Sequence, residues 1–281
     1  MGYIYIRNKG GLGNQLFIYN FGLLISKFCN KKLLVDNKTG FWLDKYGRTP
    51  VLHYLISPLF INANFIQQCL FIFYKKAPLF LRSFLKVCFI FENADSQLIN
   101  FSELEKLKNQ FNFIFVDGYF QSNNYLIENN YSIVDKFNYL HIFSNDYDNY
   151  NRSILNSESV CVHVRRKEYD NLLSKEYYEK AFILIKQKVK SPLFFIFSDD
   201  LEWCRKIFKN ESVIFIDNLE KTDDIQEFHL MVNCKHFIIA NSTFSWWAAI
   251  FGKYNNKLVI VPTNNQLASK QSFYHKDWIQ I

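Results

Sequence analysis

Two rhythms alternate along the chain. Short unbroken apolar runs such as "SVCVHV" (159–164), "LFFIF" (193–197) and "HFIIA" (236–240) read as strands buried on both faces. Between them lie segments whose apolar positions recur three or four residues apart. "KEYYEKAFILIKQKVK" (175–190) after Ser174, "LEWCRKIFK" (201–209), and "DDIQEFHLMVNC" (223–234) after Thr222 read as helices, the last with acids in its first turn. "SVIFID" (212–217) and "KLVIVP" (257–262) add two strands, and "NSTFSWWAAIFG" (241–252) is a polar loop entering a helix. Strands alternating with helices predict a parallel sheet covered on both faces.

The first half opens in the same way. "YIYI" (3–6) is a strand, "RNKGGLGNQ" (7–15) a glycine-rich turn, "LFIYNFGLLISKFC" (16–29) a helix and "KKLLVD" (31–36) a second strand. The rhythm blurs through a Phe-rich tract until "FNFIFVDGYFQS" (111–122) restores a strand and a polar loop. The polar segment 144–157, "SNDYDNYNRSILNS", lacks periodicity and is expected to be a linker. The expectation is an α/β chain of two Rossmann-like domains, residues 1–149 and 150–281, facing a central cleft, with ligands at the carboxyl ends of the strands.

Composition narrows the class only partly. With 281 residues, 49% of them hydrophobic, the chain can bury a sizeable core. The net charge of +7 suits an anionic substrate, an acidic membrane surface or nucleic acid. Nucleic acid is not expected, because the basic residues are dispersed and no RNA-binding motif occurs. The six cysteines are scattered without a CxxC pair, which argues for reduced thiols, a cytoplasmic location and no structural zinc. "MGYIYIRNKGG" lacks the apolar core of a secretory signal. The greasy tract 51–91 is broken by Asn62, Asn64, Gln67, Gln68, Lys75, Lys76, Arg82 and Lys86, so it offers no membrane span. Its mixture of Phe, Leu and Lys could still rest on the inner membrane as a peripheral contact, the alternative being helices packed on a core.

Four stretches carry chemistry-bearing side chains. Gly10, Gly11 and Gly13 lie between a strand and a helix, where backbone N–H groups can approach an anion or simply make a tight turn. Leu16 stands where the third glycine of a dinucleotide fingerprint would fall, and no GxxxxGK[ST] occurs. In "CVHVRRKEYD" (161–170), His163 and Arg165 alternate onto one side of a strand end, and arginine presents a planar fork to phosphate oxygens. A solvated strand end is the competing interpretation. "SDD" (198–200) ends the next strand, one Asp being free to cap a helix and the other to accept hydrogen bonds from a base or sugar. "NSTFSWW" (241–247) enters a helix with short polar side chains suited either to phosphate or to capping.

Taken in order, "GGLGNQLFIYNFG", "DGYFQSNNYL", "VHVRRKEY", "FIFSDD" and "FHLMVNCKHFIIANSTFSWWAAIFG" resemble the successive motifs of the alpha-1,2-fucosyltransferases of bacteria and animals. The resemblance runs from residue 10 to residue 252 and is poorest over 41–111. It implies a GT-B fold and transfer with inversion from GDP-beta-L-fucose to the 2-hydroxyl of a terminal galactose, on an oligosaccharide or a lipid-linked glycan. It implies no metal and no cofactor, the donor being a co-substrate. By the same resemblance Arg165 binds the donor diphosphate, His163 the nucleotide, and Asp199 or Asp200 the guanine. Thr243, Phe244 and Ser245 hold phosphate and Asn14 lies beside the fucose, with Gly11, Gly13, Gln15 and Ser242 also in the donor site. The family usually reads HxRRGDY, whereas this chain has Lys167 and Glu168, so the catalytic base is expected at Glu168, with Asp170 as a substitute.

Two rival classes follow from other features. "DYD" at 146–148 would suit a metal-dependent GT-A transferase if it ended a strand, and the basic, aromatic-rich composition would suit a non-catalytic membrane or nucleic-acid binder.

Overall fold

A computed structural model describes residues 2–55, 61–92, 104, 108–136, 144–167, 172–209, 211–217, 219, 224–263 and 273–281. The chain divides into two compact units, Met1–Tyr139 and Leu140–Ile281.

The first unit runs β1 (Tyr3–Arg7), α1 (Leu12–Cys29), β2 (Lys32–Asp36), β3 (Ile61–Asn62), α2 (Phe65–Lys76), α3 (Leu79–Phe84), β4 (Val87–Phe91), β5 (Phe113–Asp117) and α4 (Asn123–Glu128). Its sheet has the order β3-β2-β1-β5-β4, every pair parallel. Ile4, Tyr5 and Ile6 are fully covered, as an uninterrupted apolar strand between two helical layers requires. Helix α1 is apolar on all sides and buries 14 of its 18 residues. It stops at Asn30, whose left-handed backbone (φ 49°) turns the chain toward β2.

The second unit runs α5 (Asn145–Leu155), β6 (Glu158–Val164), α6 (Lys175–Lys188), β7 (Pro192–Ser198), α7 (Leu201–Ile207), β8 (Val213–Phe215), α8 (Asp224–Asn233), β9 (His236–Ile238), α9 (Thr243–Phe251), β10 (Val259–Val261) and β11 (Ile279–Gln280). Its parallel sheet has the order β11-β10-β9-β6-β7-β8. Val160, Val162 and Val164 face a core with Tyr178, Phe182, Phe194 and Ile196. Trp246 and Trp247 of α9 are fully buried, and the indole N–H of Trp246 donates to the carbonyl of Phe273.

The second unit's sheet reverses its strand order once, at β6/β9, whereas the first runs β3-β2-β1 and then β5-β4 in the same sense. A crevice opens at such a reversal because the following loops diverge to opposite faces. The arginine turn after β6 and the loop before α9 occupy that point. In the first unit the glycine turn after β1 and the polar loop after β5 leave adjacent parallel strands.

The expected linker 144–157 is instead helix α5, and the division between units falls at Tyr139/Leu140, ahead of the expected 149/150. Ser144 caps α5 by accepting from the N–H of Tyr147, and Tyr147 and Ile154 sit one above the other on its buried side. Asp146 and Asp148 therefore lie in the first turn of a helix, where they favour its dipole, rather than at a strand end.

Candidate active site

The second unit brings three of the four chemistry-bearing stretches to one sheet edge. Val164 pairs with Ser198 and Val162 with Ile238, so the segments after β6, β7 and β9 leave the sheet side by side. His163 is 3% exposed, its ring 5.9 Å from that of Phe244, and its backbone carbonyl accepts from the hydroxyl of Tyr178. Its Nδ1 is buried with no hydrogen-bond partner among the described residues. Burial, with the Arg165 guanidinium beside it, pushes the imidazole down to about 3, so it is neutral across the physiological range.

The two arginines have different surroundings. Arg166 lies 4.0 Å over the Trp203 ring and pairs with Asp200 at 3.7 Å, which ties it to the surface of α7. Arg165 is about one-third exposed, and its Nε meets Asp199 at 3.1 Å. Asp199 also accepts the backbone N–H groups of Arg166 (2.8 Å) and Lys167 (3.0 Å), so one carboxylate clamps the whole turn. Asp200 caps α7 through the N–H of Trp203. Both carboxylates thus position the arginine turn and the start of α7.

The loop before α9 is organised by capping. Ser242 accepts from the N–H of Phe244, and Ser245, fully buried, donates to the Ser242 carbonyl. Those two hydroxyls hold the loop, while Thr243 and Phe244 at the helix start remain partly exposed. The first turn of α9 presents the positive end of its dipole at the edge that carries Arg165.

One acid at this edge was not foreseen. Glu227 of α8 is partly buried; burial raises its carboxyl to about 7, with Asp224 and Asp199 adding to the shift and Arg165 opposing it. Its sequence signal was an acid inside an otherwise apolar helical run, which reads equally well as a dipole partner in a first turn. Glu168 and Asp170, the expected bases, lie outside the described residues.

In the first unit, Gly10 has φ +75° and its missing Cβ leaves room for Asn14, which would otherwise be 2.9 Å away. Gly11 begins α1 without a side-chain cap. Asn14 accepts from the amide of Gln121 at 2.8 Å, joining the glycine turn to the "DGYFQS" loop. Gln15 donates to the carbonyls of Gly10 and Thr49 and accepts from Asn8 and the N–H of Val51. All four of its side-chain hydrogen-bond positions are used, so it holds the turn together. Gly13 is buried within α1. Beside them Asp117 is surrounded by Lys9 (2.8 Å), Lys75 (2.7 Å) and Arg7 (3.7 Å), and the lysine hydrogen bonds hold its carboxyl below the usual range against the cost of burial.

Comparison with known proteins identifies the family and the fold. Residues 3–281 match the family model of Glycosyl transferase family 11. An alpha-1,2-colitosyltransferase of Escherichia coli is 32% identical over 284 aligned positions, which cover 94% of this chain and 92% of the relative. Galactoside alpha-(1,2)-fucosyltransferase 1 of Sus scrofa is 32% identical over a shorter stretch, 33% of this chain and 28% of the relative. Among solved structures, Arabidopsis thaliana FUT1 in complex with GDP superimposes with a TM-score of 0.57 at 9% identity, over 92% of this chain and 70% of that one. The fucosyltransferase NodZ from Bradyrhizobium gives 0.55 at 13% identity, over 89% and 93%. These neighbours have the GT-B fold, as the resemblance implied for this chain. With the family model matched across nearly its whole length, the chain belongs to glycosyl transferase family 11 and is a glycosyltransferase.

Proposed function

We propose that the protein transfers L-fucose from GDP-beta-L-fucose to the 2-hydroxyl of a terminal galactose in a glycan, with inversion and without a metal ion. The observation that carries this reading is Arg165, clamped by Asp199 at the β6/β9 switch point beside the first turn of α9. The acceptor oxygen attacks the sugar's anomeric carbon from the face opposite GDP, the bond from that carbon to the β-phosphate oxygen breaks, and GDP leaves with the electron pair. The negative charge so developed grows beside a fixed guanidinium and a helix N-terminus, which stabilise it more in the transition state than before. The hydroxyl proton passes to a carboxylate, for which Glu168 and Asp170 are the proposed acceptors. His163, neutral and with an orphaned ring nitrogen, suits a hydrogen bond to the nucleotide rather than proton transfer. Glu227 joins Asp199 and Asp200 as a group proposed for the guanine: a carboxylate accepts from both the N1–H and the 2-amino group of guanine, a pair no other base presents. Thr243 and the α9 N-terminus serve the phosphates, and Asn14 the sugar.

A second donor is favoured by a specific observation. The relative aligned over 94% of this chain is named an alpha-1,2-colitosyltransferase, and colitose is fucose without its 3-hydroxyl. A further relative is named an O-antigen biosynthesis glycosyltransferase, which supports a bacterial surface glycan as acceptor. The test is incubation with GDP-fucose or GDP-colitose and galactose-terminated oligosaccharides, followed by linkage analysis. A 1,2-linked product with EDTA present is expected. A 1,3 or 1,6 linkage, or activity lost to EDTA and restored by manganese, overturns the linkage or the metal-free mechanism.

A further inference from the structure

Helices α2 and α3 hold their apolar side chains the wrong way round for a core. In α2 the stripe Gln68, Phe71, Lys75 points inward: Gln68 and Phe71 are buried, Phe71 stacks 5.2 Å from Tyr5, and Lys75 reaches Asp117. The opposite stripe, Phe65, Ile66, Cys69, Phe73 and Lys76, is exposed along its whole length. Next in the chain, α3 reads Leu-Phe-Leu-Arg-Ser-Phe and has no buried residue; Leu79, Phe80 and Phe84 are 77%, 75% and 82% exposed. Large aromatic side chains left in water at this density mark a surface that is covered in use.

Charge says by what. From residue 45 to residue 91 the chain has six Lys and Arg and no Asp or Glu. Lys75 is spent on Asp117, but Lys76 and Lys86 are exposed beside the apolar stripe, and Arg82 lies 4.9 Å over the Phe89 ring. A two-fold contact between copies would set this positive surface against itself. An anionic lipid surface satisfies both features, since Phe and Leu enter the headgroup boundary while lysines meet the lipid phosphates. Among the described residues no helix is long and apolar enough to cross a membrane, so the contact would be one of lying on the surface.

We infer that α2 and α3 form a docking surface for an anionic lipid bilayer. This is independent of the transfer chemistry and is read by sedimentation alone, so its failure leaves the proposed function standing. The full chain is spun with vesicles of phosphatidylethanolamine and phosphatidylglycerol, and with phosphatidylcholine vesicles, at low and high salt. Co-sedimentation with the anionic vesicles is expected, weakened by salt. The double variant Phe80→Ser/Phe84→Ser, both positions being exposed, should fold with an unchanged circular dichroism spectrum and lose about tenfold or more in partition. Lys76→Glu should lose about fivefold on anionic vesicles and nothing on phosphatidylcholine. The proposal is overturned if the chain stays in the supernatant with anionic vesicles at low salt, or if the serine variant sediments like the wild type. It is equally overturned if sedimentation velocity shows a dimer that the serine variant dissolves while vesicle binding is absent.

Discussion

Adjacent arginines of one turn are set to different tasks by their surroundings. Arg166 is stacked on Trp203 and paired to Asp200, whereas Arg165 keeps a third of its surface open while Asp199 fixes its direction. Arg165→Ala is therefore expected to weaken GDP binding at least tenfold and to lower kcat by about 10²–10³-fold, the cost of removing one preorganised charge donor. Its melting temperature should stay near the wild-type value, because a partly exposed ion pair is worth only about 0–1 kcal/mol. Titration calorimetry and initial rates check both halves, and a variant that transfers normally removes Arg165 from the diphosphate role. Glu227 sets a pH dependence with a definite sign. Its carboxyl is raised to about 7 by burial and by Asp224, so below that value the folded chain holds a proton that an ordinary glutamate has released. A protonated carboxyl cannot accept two donors, so GDP affinity should rise as pH climbs through about 7. Folding stability has the opposite trend: between the ordinary glutamate value and about 7 the unfolded chain binds fewer protons, so this group's contribution falls as pH rises. Glu227→Gln should leave only the pH dependence that GDP's own phosphate imposes. An unchanged pH profile in that variant would show that Glu227 does not meet the base.

Among the elements, the glycine turn has the least tolerance. Gly10 combines a left-handed backbone with a side chain's worth of space already held by Asn14, so Gly10→Ala is strained in its backbone and crowded at once. It should cost about 1–3 kcal/mol in thermal or denaturant unfolding and lower transfer by shifting Asn14. Full activity at wild-type stability would mean the turn is not fixed as described. This turn was legible because glycines between a strand and a helix have few other uses, and the parallel strands were legible because runs like "VCVHV" admit no exposed face. Helix α5 was not. Only Tyr147 and Ile154 are buried on it, and it is held by polar contacts, Ser144 to Gln226 and Asn151 to Asn233, which a hydropathy pattern does not register. The clamp of Asp199 on the arginine turn was hidden for another reason. It depends on β6 pairing with β7 in a register that sets Val164 opposite Ser198, a fact of strand pairing rather than of local sequence. The part Gln15 plays in fixing the turn was hidden too, because a buried amide with every position satisfied has the same letter as one that faces a ligand.

Over the whole molecule, the assigned groups separate by unit. His163, Arg165, Glu227 and Thr243, proposed for the nucleotide and diphosphate, belong to Leu140–Ile281, and the glycine turn with Asn14 and Gln121 belongs to Met1–Tyr139. If the first unit serves the sugar and the acceptor, its substitutions should act on turnover and leave the nucleotide alone. Asn14→Ala is thus expected to keep GDP affinity within about twofold while lowering kcat by about tenfold or more, since an interaction made only as the sugar departs is lost from kcat and not from ground-state binding. The second-unit variant Arg165→Ala should lose both. The donor enters the same comparison, because a site with a buried partner for the fucose 3-hydroxyl rejects the 3-deoxy sugar by orders of magnitude, and a site without one discriminates weakly. Measuring kcat/KM for both donors in the wild type and in Asn14→Ala tells whether Asn14 is that partner. If it is, the wild-type preference for fucose collapses in the variant; if the ratio is unchanged, sugar discrimination lies elsewhere. Should Asn14→Ala weaken GDP binding as much as Arg165→Ala does, the division of labour between the units is wrong.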